Sequence, residues 1–182
     1  MDNDWTVELA DQLTFDWEVQ LRPRWEGLSD SEYLWEPVRD MWSIRRSGTG
    51  RTPMAIGGGA IEIDYQRPEP EPVPLTTIAW RMAHVLVGVF GERNARYFDG
   101  PSVDYATCDY PMSATEALAR LDEAYRLWNE GVRGLSVTDL GERCREPGFE
   151  TDSMAELILH INREIIHHGA EINLLRDLYR WQ

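Results

Sequence analysis

Three of the four histidines fall in one stretch, ILHINREIIHHGAEI from Ile158 to Ile172, and the fourth, His84, lies far upstream. Imidazoles and carboxylates at i, i+3 and i+4 on an inward-leaning helix face are the pattern from which bundle metal sites are built. At about 100° per residue, His160, Glu164, His167 and Glu171 gather within about 60° on one flank of an apolar stripe. His168 points into the stripe itself. Leu174 and Leu178 continue the flank, which predicts that it is partly buried. Glu164 and His167 also have Glu-x-x-His spacing, and His84 is the remaining histidine that a second helix can supply. The same spacings serve ordinary pairing of Glu164 with His160 and His167 on a packed or solvated helix. Glu171 reads equally as a solvated residue of an acidic chain. Spacing alone therefore leaves a metal site and a structural face both open.

Four amphipathic stretches are available to position these groups. The first is expected from Asp4 to Arg22, with Leu9, Leu13, Trp17 and Gln20 or Leu21 inward and Pro23 disturbing its end. Ser29 and Glu32 have capping-box spacing for one short turn. The second starts at a Thr76 or Thr77 cap, runs to near Gly100, and faces Ile78, Met82, Val85 and Val89 inward. The third opens with Ser113 and Glu116 in capping-box spacing and buries Leu118, Leu121, Tyr125 and Trp128. The fourth, from about Asp152 to Tyr179, aligns Met154, Leu157, Ile158, Ile161, Ile165, His168, Ile172, Leu175 and Tyr179.

Between the first two lies an irregular region, Glu36 to Leu75, containing SGTGRTP, GGG and RPEPEPVP. A loop this long is uncommon in a compact domain unless it is functional or tied down, and Trp35 and Trp42 are candidate ties. IEIDY alternates like a short strand. These stretches predict an all-α four-helix bundle with a long irregular crossover between helices one and two, folded as one domain over residues 1–182.

A net charge of −14 argues against a nucleic-acid partner, whose phosphates need Lys and Arg. The chain has no lysine. No window reads as a membrane span, and the acidic start lacks a signal-peptide pattern, so a cytoplasmic location is expected. Cys108 and Cys144 lack CxxC spacing and read as inert, partly buried residues. The Gly57–Gly59 run is not followed by Lys-Ser/Thr, and SATE and TDSMAE read as helix caps rather than serine nucleophiles. Arg81, one turn before His84, fits an ion pair with one of the many acids better than a contact with an anionic substrate.

TTIAWRMAH together with NREIIHHGAEI resembles the DinB superfamily, also called DinB/YfiT-like, and especially an actinobacterial branch with WEPV near the first loop. The resemblance takes in WSIR and the C-terminal LLRDLY, and so spans nearly the whole chain. It implies the four-helix bundle with its long crossover. It also implies a divalent metal (zinc, nickel or iron) on three histidines, with His84 matching the first and His167 the last. The middle ligand position falls on Arg163, whose permanent charge repels a cation. Either His160 or Glu164 then completes the shell, or the metal is lost and Arg163 occupies its pocket.

The activity implied is that of a metal-dependent transferase or hydrolase acting on a small molecule, with mycothiol as the thiol. In it Glu164 and Arg163 carry catalytic roles, Arg163 by orienting an anionic group such as a carboxylate. The alternative is a non-catalytic small-ligand-binding or stress-response protein without metal, and a homodimer is compatible with both. If histidines coordinate, metal affinity is expected to collapse below about pH 6.

Overall fold

The structure is a computed structural model, and it describes residues 4–182. Four helical rods make the bundle. The first is α1 (Trp5–Phe15), continued by a π-helical turn, Asp16–Leu21, and a 3₁₀ turn, Arg22–Trp25. A short α2 (Asp30–Tyr33) follows, capped by Ser29. The second rod begins at α3 (Ile78–His84), passes through a π-helical stretch, Val85–Gly91, and ends as α4 (Glu92–Tyr97). The third is α5 (Ala114–Arg133), then a short α6 (Val137–Gly141), and the fourth is α7 (Met154–Arg180). The first and second rods each pack on both α5 and α7.

The expected stripes face the core. Leu13, Trp17 and Leu21 of the first rod, Ile78, Met82, Val85 and Val89 of the second, and Leu118, Leu121, Tyr125 and Trp128 of α5 are buried. Trp17 stacks on Tyr125 with 4.5 Å between centroids and meets Trp25 edge-on at 5.5 Å. Each such large side chain contributes roughly 1.5–3 kcal/mol by leaving water. Gly169 lets α7 approach the first rod closely, because a Cβ there would overlap the Leu21 side chain.

The crossover is tied down rather than loose. β1 (Ile44–Arg46) and β2 (Ile61–Ile63) pair antiparallel, with Ile44 opposite Ile63. The buried Asp64 carboxylate accepts from Ser43 N, Arg45 Nε and Arg51 N at 2.8–3.0 Å. Trp80 Nε1 donates to Asp64 O at 2.8 Å, and Thr77 N to Trp42 O at 2.9 Å, fastening the crossover to the start of α3. Trp42 packs beside Trp80, whereas Trp35 packs on Tyr179 at the far end of α7.

The π-helical stretch begins at the residue after His84. Its sequence, VLVGVFG, combines β-branched residues and two glycines, all weak helix formers. The Arg93 guanidinium donates to the Gly88 carbonyl, a side chain entering the helical ladder. Such π turns recur at functional sites. No helix among the described residues is long and apolar enough to cross a membrane.

Candidate metal centre

α3 ends on His84, and α7 carries Glu164 and His168 one turn apart, on helices that pack against each other. One donor atom from each of His84, Glu164 and His168 lies within 4.8 Å of the others. The two imidazoles meet edge to face at 4.9 Å between centroids, and Glu164 Oε2 is 3.7 Å from His168 Nε2.

Both rings are held through Nδ1. His84 Nδ1 lies 2.6 Å from the Tyr105 hydroxyl, and its ring sits between Trp80 at 5.4 Å and Tyr105 at 6.3 Å. His168 Nδ1 lies 3.0 Å from Glu171 Oε2, and the Arg81 guanidinium closes on the same oxygen. Nε2 is left as the free nitrogen of each ring. Metal-binding histidines are oriented in this way by partners on their other nitrogen.

The electrostatics suit ligands. Burial, with Arg93 and Arg81 adding to it, pushes His84 down to about 4. Burial, then His84 and Arg81, pushes His168 down to about 3. Both rings are neutral well below pH 6, so the threshold expected from a free imidazole moves to about pH 4. Two imidazoles and one carboxylate are a donor set for zinc or iron, so the residues present fit a divalent cation. The trio His167, His168 and Glu171 also converges, but Arg81 already holds its carboxylate oxygen and the His167 side chain is 61% exposed.

The depressed values have a consequence for folding. Unfolded, both histidines bind a proton near pH 6.5; folded, they stay neutral to about 4 and 3. Between those limits the unfolded state holds more protons, so stability falls as pH falls, at about 1.4 kcal/mol per unit of offset. Urea unfolding in chelator at pH 6.5, 5.5 and 4.5 should show a steeper loss for the native sequence than for a His84→Gln/His168→Gln variant. Parallel losses would contradict the burial of these rings as neutral groups.

The other residues singled out in the sequence lie outside this convergence. His160 is 45% exposed, with Nδ1 3.8 Å from Glu164 Oε1 and 2.9 Å from Arg163 Nη2. Arg163 is exposed and turned toward His160. His167 stands on the outer side, with Nε2 3.5 Å from Glu171 Oε2. The flank expected to be partly buried is open at its lower end, where Leu174 is 59% and Leu178 49% exposed. The reason is the seating of α7 on Ile161, Ile165 and Ile172, each 1% exposed, which turns 160, 167, 174 and 178 outward and 168 inward. Arg81, 13% exposed, clamps Glu171. Tyr105 had no sequence signal, because it lies in the aperiodic stretch between α4 and α5. Cys108 and Cys144 are free and buried.

A bundle with imidazoles and a carboxylate converging between two helices defines a class of helical protein able to hold a cation in its core. The model of the DinB superfamily matches residues 62–172, more than half of the chain, and the chain belongs to that superfamily. Domains of this superfamily typically bind a metal, and the matched span contains His84, Tyr105, Glu164 and His168. Neither a curated protein nor a solved structure matches the chain.

Proposed function

We propose that the chain is a divalent-metal enzyme acting on a small molecule, with His84, Glu164 and His168 as the metal's protein ligands. The convergence of these three donors within 4.8 Å carries the proposal. A metal on three protein ligands keeps an open position, where it acidifies a bound water or thiol. The chain's own part is to hold two neutral imidazoles and one carboxylate in place: Glu171 orients His168, Arg81 fixes Glu171, and Trp80 covers one face of His84. Arg163 turned outward leaves the convergence free of its charge, which favours a retained metal over a lost one.

A cavity of about 480 Å³ beside the site, walled by α4, α7 and the chain from Cys144 to Asp152, has a size usual for ligand sites, although none of His84, Glu164 and His168 lines it. Arg93, Arg163, Phe149 and Leu157 line it, and His160 on its wall is the neighbour of Glu164. Arg163 orienting a substrate carboxylate there fits a thiol transferase, with mycothiol as the thiol, or a hydrolase. Calorimetric titration of tag-free protein with Zn²⁺, Ni²⁺ and, without oxygen, Fe²⁺ tests the proposal. One tight site per chain, lost in Glu164→Gln, is expected; no binding of any of the three ions would sink it.

A further inference from the structure

We infer that Tyr105 is a positioning residue for the metal ligand His84, and that Gly88 is glycine to admit it. The inference rests on the metal-centre reading above and adds a residue from a segment outside the two ligand helices. Tyr105 belongs to the irregular chain between α4 and α5, yet its hydroxyl reaches 2.6 Å from His84 Nδ1. The space it enters exists because residue 88, one turn after His84, has no side chain. A Cβ built on Gly88 would overlap the Tyr105 hydroxyl, and the three atoms nearest to that Cβ all belong to Tyr105.

The tyrosine is itself held from several sides. Its ring stacks on Tyr65 of the crossover at 6.4 Å and on His84 at 6.3 Å, and its carbonyl accepts from the Tyr110 hydroxyl at 2.9 Å. Arg93 holds the Gly88 carbonyl. Tyr105 therefore joins the crossover to the metal ligand through two ring contacts and one hydrogen bond.

A hydroxyl suits this position because it both donates and accepts. For His84 to offer the Nε2 lone pair, its proton must sit on Nδ1, and Nδ1–H then donates to the Tyr105 oxygen. In the other tautomer the hydroxyl donates to Nδ1. Phenylalanine keeps the ring contacts and removes only this bond, leaving a buried N–H without a partner whenever Nε2 is used as a ligand. Outer partners of metal-bound histidines are worth roughly tenfold to a hundredfold in metal affinity.

Two readouts on Tyr105→Phe test this, one with metal and one without. In metal-free protein, ¹⁵N correlations of the His84 ring should show a changed tautomer balance against the native sequence. With Co²⁺, the visible absorption titration should give a dissociation constant raised roughly tenfold to a hundredfold, the range for an outer partner. Gly88→Ala should weaken Co²⁺ binding as well, and the double variant should be no worse than the weaker single one. An unchanged His84 tautomer, or native Co²⁺ affinity in Tyr105→Phe, overturns the role of Tyr105. A shifted tautomer in a protein that binds no Co²⁺ would instead overturn the metal-centre reading and leave the Tyr105–His84 bond standing.

Discussion

Replacing Arg176 by alanine should destabilise the protein by about 3–5 kcal/mol, the range for breaking a buried ion pair from one side. Arg176 and Glu32 are 4% and 6% exposed, and the guanidinium meets the carboxylate twice, Nε to Oε1 at 2.6 Å and Nη2 to Oε2 at 3.2 Å. Nη1 also donates to the carbonyls of Arg24 and Glu26, so one side chain of α7 holds the turn between α1 and α2. Removing it strands the Glu32 charge in the interior. The double change Arg176→Met/Glu32→Leu removes both charges and should recover most of the loss. Urea unfolding of the three proteins checks this, and a single variant within about 1 kcal/mol of the native sequence would refute the buried-pair account.

The second large effect concerns adjacent histidines. His168→Ala should weaken Zn²⁺ binding more than the roughly hundredfold that loss of an outer partner costs, because it removes a donor itself. His167→Ala should leave affinity within about threefold, since its ring is 61% exposed and its neighbour Glu171 is held by Arg81. Glu171→Gln, which weakens the anchor of His168 Nδ1 at 3.0 Å, should fall between them. Competition titration against a chromogenic chelator reads all three. Equal losses at 167 and 168 would mean that α7 does not present His168 inward.

The bundle was legible because apolar residues at helical spacing must be buried together: Leu13, Trp17 and Leu21, or Leu121, Tyr125 and Trp128, cannot all face water. The helix starts were legible from local chemistry, as at Ser113 and Ser153, whose side chains accept from the N–H three residues on. The helical wheel set His168 among Ile161, Ile165 and Ile172, and there it stands in the structure. The family resemblance matches its last ligand to His167, the first histidine of the doublet, which stands one residue outward of His168 on the flank of His160 and Arg163. A shift of one residue turns a helical side chain by about 100°, enough to move it from core to solvent.

Other parts had no sequence signal. Tyr105 lies in an aperiodic segment, and its reach to His84 follows from the path of that segment over Gly88. The anchoring of the crossover by Asp64 depends on three donors from separate positions, Ser43, Arg45 and Arg51, which come together through the β1–β2 pairing.

Metal content tests the central claim most directly: tag-free protein, loaded with Zn²⁺ and desalted, measured by inductively coupled plasma mass spectrometry beside His84→Ala, Glu164→Ala, His168→Ala and His160→Ala. Near one metal per chain in the native protein and His160→Ala, with little in the other three, is the predicted result. Full occupancy in His168→Ala or Glu164→Ala, or loss of metal in His160→Ala, would contradict the convergence of His84, Glu164 and His168 as the site.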